Sequence, residues 1–121
     1  MNEPLNFDYE VEIGFVKYNG NYIYRFSYFD GTTKKYDGAT YSNSEGKFWG
    51  IYGDIYTQLQ TGDVIKYKVT PNKVEFYLNN VLKGTYTNAT SISNNIYGKN
   101  IGFNHDNNIG IQIDWIKIKQ L

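Results

Sequence analysis

Apolar and polar residues alternate along several stretches of this chain, and this period of two predicts β-strands. From residue 7 to residue 15 the odd positions are apolar and the first three even positions are acidic, as in a strand with one buried face. Residues 22–29 alternate in the same way. We therefore expect the side that carries Tyr24 to be buried, and Arg25 and Ser27 to lie on the opposite surface.

The clearest local signal is a β-hairpin over residues 73–86. Two alternating segments meet at Asn79 and Asn80, and asparagine tolerates the positive φ angles of a tight hairpin turn. Before the hairpin, residues 65–69 form another alternating segment, which turn-forming residues enclose on both sides. The middle of the chain is therefore predicted to be a run of short strands.

The last part of the chain predicts two more strands, over residues 100–104 and 109–118, with a polar loop at 105–108 between them. The apolar parity changes between the first and second halves of the final strand. A β-bulge near Asp114 and Trp115 would bring both halves onto one face.

Taken together, the strands predict an all-β fold. Residues 18–21 indicate a turn, whereas residues 31–62 are harder to assign because glycines interrupt short apolar segments. About ten short strands without helical patterns between them are typical of a sandwich or jelly roll. We expect residues 1–121 to form one domain, an antiparallel two-sheet β-sandwich with almost no helix.

The composition excludes several kinds of site and partner. The chain has no cysteine, so disulfides, thiolate zinc sites and thiol nucleophiles are ruled out. Its 12 basic and 12 acidic residues give a formal charge of zero, which argues against a nucleic acid partner. Because no apolar run is long enough to cross a bilayer and the first residues do not resemble a signal peptide, we expect no membrane insertion.

Three parts of the sequence resemble the concanavalin A-like lectin and glucanase superfamily, which includes laminin-G-like domains and many carbohydrate-binding modules. They are residues 7–13, residues 62–69 with 74–80, and residues 101–103 with 113–118. This resemblance spans nearly the whole chain and implies a concanavalin A-like jelly roll that binds a ligand. The central hairpin also resembles SPRY-type protein-interaction domains, in which a similar strand pair follows a Gly-Asp turn.

Two sets of polar residues are candidates for catalysis or metal binding. Asp8, Glu10 and Glu12 share one strand face, and glycoside hydrolysis needs paired carboxylates, but a solvated face paired with basic neighbours fits them better. His105 lies in a polar loop, and no serine has the context of a nucleophile, so we expect no catalytic triad. We expect no cofactor, although calcium held by several loops stays open, with Asp114 as one candidate ligand.

The aromatic content is the feature that points most directly to function. Tyr, Phe and Trp make up 18% of the chain, more than a core of this size is expected to enclose, so some rings should face solvent. Flat rings can stack on the apolar faces of sugars while neighbouring polar groups bond to the sugar hydroxyls. Each ring taken singly is also a candidate for the interior. The predicted ligand-binding residues are Arg25, Tyr36, Tyr41, Trp49, Tyr52 and Tyr56.

The sequence therefore predicts a noncatalytic carbohydrate-binding or adhesion module whose partner is a glycan or a surface polysaccharide. We expect it to be part of a larger surface, secreted or phage-tail protein, and so to lie outside the cell, at the cell surface or on a phage particle. The alternative is a SPRY-like domain that binds a protein partner through the same loops. A glycan hydrolase is the least favoured hypothesis.

Overall fold

The computed structural model describes residues 4–16, 23–50, 53–105 and 112–121. Within these ranges the chain forms ten strands and one short helix. The strands are β1 (Tyr9–Val16), β2 (Ile23–Phe29), β3 (Lys34–Ser42), β4 (Lys47–Trp49), β5 (Ile55–Tyr56), β6 (Val64–Thr70), β7 (Lys73–Leu78), β8 (Val81–Tyr86), β9 (Asn100–His105) and β10 (Gln112–Gln120). Helix α1 (Ala89–Asn95) lies between β8 and β9.

The strands form two five-stranded antiparallel sheets. Sheet A has the order β10, β1, β6, β7, β8, and sheet B has the order β5, β4, β3, β2, β9. The predicted all-β, two-sheet antiparallel sandwich is confirmed. In the part of the chain that the structure describes, α1 is neither long nor apolar enough to cross a membrane.

The inner faces of the two sheets meet in an interior built largely of aromatic rings. Phe26 of sheet B stacks on Tyr67 of sheet A with ring centroids 4.5 Å apart, and Phe48 and Phe76 pack at 5.0 Å. Some rings face solvent as expected, among them Tyr56 and Trp115, which are 73% and 41% exposed. Others are enclosed by the sheets. Among the described residues, the fully buried rings are Tyr9, Phe15, Tyr24, Phe26, Tyr28, Tyr41, Phe48, Tyr67 and Phe76.

The alternation in β1 and β2 has the predicted orientation, with one exception. The apolar side of β1 and the Tyr24 side of β2 are buried, and Arg25 is only partly covered. Ser27, however, is buried rather than exposed, and its hydroxyl donates a hydrogen bond to Asp37 on β3 at 3.1 Å. A register shift between β2 and β3 at this point places the two side chains together.

Two local predictions of backbone geometry are confirmed. Asn79 and Asn80 have φ angles of 49° and 66° and form the two-residue turn between β7 and β8. In β10, Trp115 lies opposite Gly14 and Ile113 lies opposite Phe15, so Asp114 between them is the extra residue of a β-bulge.

Helix α1 is an element that the alternation does not predict. It begins after Asn88, whose side-chain oxygen accepts a hydrogen bond from the Ser91 backbone N–H at 3.0 Å. Ile92 is its buried residue, and the backbone N–H of Ile96 donates to the Ile92 carbonyl at 3.0 Å. The predicted turn at 18–21 and most of the predicted loop at 105–108 lie outside the described residues.

Several tyrosine hydroxyls are enclosed between the sheets together with their rings. Burial raises the pKa of Tyr24 and Tyr67 well above the ordinary value of 10.0, and the neighbouring Tyr67 raises the pKa of Tyr24 further. Burial also raises the pKa of Tyr9, a shift that a hydrogen bond with Tyr28 partly opposes. The folded protein therefore holds these phenols in the neutral form.

We expect the protein to lose stability as the pH rises above about 10. In the unfolded chain a tyrosine releases its proton near that pH, whereas Tyr24, Tyr67 and Tyr9 retain theirs in the fold, so the unfolded state binds fewer protons and gains in relative stability. Each such group steepens the decline by about 1.4 kcal/mol per pH unit. Urea titrations on both sides of this pH should show a shallower decline in Tyr24→Phe than in the wild type.

Candidate functional site

The outer face of sheet A carries the acidic positions of β1, and the neighbouring strands balance them. Glu10 lies directly opposite Lys119 of β10 and Lys68 of β6. Glu12 occupies the equivalent place between Lys117 and Lys66. Because cross-strand partners of opposite charge flank each carboxylate, this arrangement fits the ordinary solvated face better than a catalytic pair.

The outer face of sheet B has a different character, with aromatic rings beside small hydroxyl residues. Arg25 of β2 lies opposite Thr40 of β3, which lies opposite Trp49 of β4. Arg25 and Trp49 are partly exposed, whereas Thr40 between them is buried, as expected for a small side chain flanked by two long ones. These three residues form one row across the sheet.

A second row runs beside the first, two residues along each strand. Ser42 of β3 lies opposite Lys47 of β4, and Lys47 lies opposite Tyr56 of β5. Ser42 is buried, and Tyr56 is 73% exposed, the most exposed of the large hydrophobic residues that the structure describes. We define the outer patch as the residues of both rows, namely Arg25, Thr40, Ser42, Lys47, Trp49 and Tyr56.

Lys47 organises the aromatic end of the outer patch. Its ammonium lies 5.7 Å from the centre of the Trp49 ring and 5.6 Å from that of Tyr56, within the range of cation–π attraction. The same ammonium donates a hydrogen bond of 3.2 Å to a carboxylate oxygen of Asp54. That hydrogen bond raises the pKa of Lys47 above its ordinary value, so the cation persists beside the two rings.

The sequence around β4 explains why these side chains face outward. Phe48 points into the core, where its ring packs against Tyr41 at 4.9 Å, so its neighbours Lys47 and Trp49 must point to the other face. Gly50 follows β4 with a φ of 134°, a conformation that side chains disfavour. The Gly53 N–H donates a hydrogen bond of 3.2 Å to the Gly50 carbonyl.

The structure brings three of the predicted ligand-binding residues together and separates two others from them. Arg25, Trp49 and Tyr56 all belong to the outer patch. The prediction for Tyr41 is wrong, because Tyr41 faces inward and is fully buried, where its hydroxyl accepts a hydrogen bond from the Leu59 N–H at 3.1 Å. Tyr52, predicted with them, lies outside the described residues.

Tyr36 also lies away from the outer patch. It is on the inner side of β3, partly buried, and its ring stacks against Tyr86 of β8 with centroids 6.3 Å apart. Burial, reinforced by a hydrogen bond with Tyr86, raises the pKa of Tyr36 to about 12. Tyr36 therefore connects the two sheets and lies apart from the outer patch.

Sequence reasoning missed four of the polar residues at the site. Lys47 and Asp54 were not among the predicted residues, and neither were the hydroxyl residues Thr40 and Ser42. One signal for Lys47 was present: if Phe48 is assigned to the core, strand alternation places Lys47 and Trp49 on the same outer face. Asp54 precedes β5, and the local sequence gives no sign of its ion pair with Lys47.

The residues that the structure describes contain no group of three or more His, Cys, Asp or Glu side chains that could hold a metal ion. The side chains of His105 and Asp114 are not among those described, so the calcium alternative stays a prediction.

Comparison with known proteins supports the fold. The chain is similar in structure to sheep galectin-11, solved as a complex with glycerol, with a TM-score of 0.64 and 14% sequence identity over 96% of this chain and 92% of that one. No family model matches the sequence, and no curated protein matches it significantly. The similarity shows a lectin-like β-sandwich of the jelly-roll kind.

We expect Tyr41→Phe to lower the free energy of unfolding by about 1–3 kcal/mol, because the buried Leu59 N–H would lose its hydrogen-bond acceptor. Tyr56→Phe is the matched control, since it removes a hydroxyl from an exposed ring and should change stability by less than about 0.5 kcal/mol. Urea unfolding followed by tryptophan fluorescence measures both. Equal effects in the two variants would contradict the assignment of Tyr41 to the core.

Proposed function

We propose that the protein is a noncatalytic carbohydrate-binding module and that its glycan ligand lies on the outer patch of sheet B. The observation that carries the proposal is the pair of rings, Trp49 and Tyr56, which both lie within 6 Å of the Lys47 ammonium on the outer face of sheet B. Two such rings offer apolar surfaces on which the C–H faces of sugar rings can stack.

The polar groups around the rings suit the hydroxyls of a sugar. The Asp54 carboxylate can accept hydrogen bonds, while the Lys47 ammonium and the Arg25 guanidinium can donate them. Thr40 is small and buried, so it forms a low floor between the larger side chains of Arg25 and Trp49 at the two ends of the first row. A floor with raised edges accommodates a flat ligand lying across the strands.

The charge pattern of the patch favours binding over catalysis. Asp54, the carboxylate beside the rings, is paired with Lys47 at 3.2 Å. Glycoside hydrolysis needs two carboxyl groups facing each other across the scissile bond, one of which is held protonated. A single carboxylate paired with a lysine is instead suited to accept hydrogen bonds from hydroxyls.

The similarity to a galectin supports the same proposal. Sheep galectin-11, which shares the sandwich architecture, is a lectin by name and was solved with the small polyol glycerol. We further propose that the present module acts outside the cell, as part of a larger surface, secreted or phage-tail protein that adheres through it.

A glycan array with the purified protein tests the proposal. We expect binding to at least one glycan class, and Trp49→Ala or Tyr56→Ala should weaken that binding by at least about tenfold, which corresponds to roughly 1.4 kcal/mol. Tyr77→Ala is the matched control, because Tyr77 lies 4.9 Å from the Lys66 ammonium on the outer face of sheet A and repeats the lysine–ring contact away from the patch.

Two other outcomes would replace the proposal. An array without any signal, together with a defined protein partner whose binding depends on Tyr56, would indicate a protein-interaction domain of the SPRY kind. Release of reducing sugar from a glycan by the wild type, lost in Glu10→Gln, would indicate a hydrolase working from the opposite sheet.

A further inference from the structure

Strand β10 is an edge of sheet A with an unusual share of exposed apolar surface. Trp115, Ile116 and Leu121 are 41%, 39% and 46% exposed, and they are three of the six large hydrophobic residues exposed in the part of the chain that the structure describes. Among the described strands, β10 pairs with β1 on one side and with none on the other. Edge strands of this kind are ready to accept another strand.

The hydrogen-bond pattern shows which residues of β10 face the free edge. The Leu121 N–H donates to the Asp8 carbonyl of the neighbouring chain segment at 2.8 Å. In an antiparallel pair, alternate residues direct their backbone groups to the same neighbour, so the odd positions from 115 to 121 bond toward β1. Ile116, Ile118 and Gln120 therefore direct their N–H and C=O groups away from sheet A.

Trp115 is held at this edge by a glycine. A side chain at Gly14 would begin 2.3 Å from the Trp115 indole nitrogen, so the ring occupies the space that any other residue at position 14 would fill. This contact places the Trp115 ring over the outer face of sheet A, while 41% of the residue stays open to solvent.

We propose that β10 pairs with β10 of a second copy of this chain, antiparallel and with the two-fold axis at Ile118, so that two A sheets join into one continuous ten-stranded sheet. In this register Ile118 faces Ile118 of the second copy, and Ile116 faces Gln120. All three residues whose backbone groups point outward then find partners. Trp115 lies opposite Leu121 of the second copy, which pairs exposed apolar surface with exposed apolar surface.

The charges permit this register, and the bulge at Asp114 argues against a neighbouring one. Lys117 comes to lie opposite Lys119 of the second copy, but Glu12 and Glu10 face these lysines from β1 within each chain. Moving the axis to Ile116 would bring the bulge at Asp114 into the new ladder and interrupt its hydrogen bonds. The axis at Ile118 keeps the paired segment clear of the bulge.

The opposite edge of sheet A is less suited to pairing. In β8 a register shift leaves Lys83 as an extra residue between Leu82 and Gly84, which lie opposite Tyr77 and Phe76. A bulge in the middle of an edge strand interrupts its regular hydrogen-bonding edge, whereas the bulge of β10 lies before the segment proposed to pair. The proposal therefore assigns self-pairing to β10.

Sedimentation equilibrium across micromolar to millimolar concentrations tests the dimer. Gln120→Pro removes an N–H that points to the free edge and leaves the bonds between β10 and β1 in place. It should raise the dimer dissociation constant by about tenfold or more, since two symmetry-related hydrogen bonds are lost. Lys119→Thr should strengthen the dimer, because it removes the like charge opposite Lys117. Leu82→Asn on β8 is the control and should leave the dissociation constant unchanged.

A cross-linking experiment tests the register. Because the sequence has no cysteine, the introduced cysteine is the only thiol that can form a disulfide. Ile118→Cys should form a disulfide-linked dimer under mild oxidation, because the two-fold axis places the two side chains opposite each other within disulfide range. Lys83→Cys should stay monomeric under the same conditions. A protein that is monomeric at every concentration would overturn the proposal. So would a dimer whose dissociation constant is unchanged by Gln120→Pro and whose Ile118→Cys variant forms no disulfide between the two copies.

Discussion

The structure depends on the contact between aromatic rings that the two sheets direct toward each other. Phe26 stacks on Tyr67, and Phe48 packs against Phe76, so ring-to-ring contacts join sheet B to sheet A at several points. Each buried ring also fixes the orientation of its strand, because alternate residues of a strand face opposite sides. The residues buried in the core thus determine which side chains lie on the outer surfaces of both sheets, including the outer patch.

Much of the fold follows from the sequence where burial is strictly periodic. In β1, β6 and β7, apolar and polar residues alternate along most of each strand, and one face of each strand is buried as the pattern requires. The turn at Asn79 and Asn80 was predictable because few residues adopt positive φ easily. The bulge at Asp114 was predictable because the parity of the apolar residues changes there.

Other parts of the fold were not predictable from local pattern. Helix α1 has a single buried residue, Ile92, so it carries no apolar stripe that would set it apart from a loop. Strands β4 and β5 span only three and two residues, which is too short for a period to be seen. Their positions are fixed by pairing with β3 and by the core contact of Phe48.

The candidate site, too, could be predicted from the sequence only in part. Aromatic content indicated that rings contribute to function, and Trp49 and Tyr56 do lie on one outer face with Arg25. Ring type alone could not separate them from Tyr41, because a tyrosine can be buried whole when its hydroxyl finds a partner, as that of Tyr41 does at Leu59. The partnership of Lys47 with Asp54 depends on the pairing of β5 with β4.

The brevity of β4 has a consequence for recognition. Its middle residue, Phe48, is locked among the rings of Tyr41 and Phe76, and the residues on either side of it, Lys47 and Trp49, are within one peptide unit of that anchor. Their backbone therefore has little freedom to lose when a ligand arrives. Such preorganisation would lower the entropic cost of binding the proposed glycan.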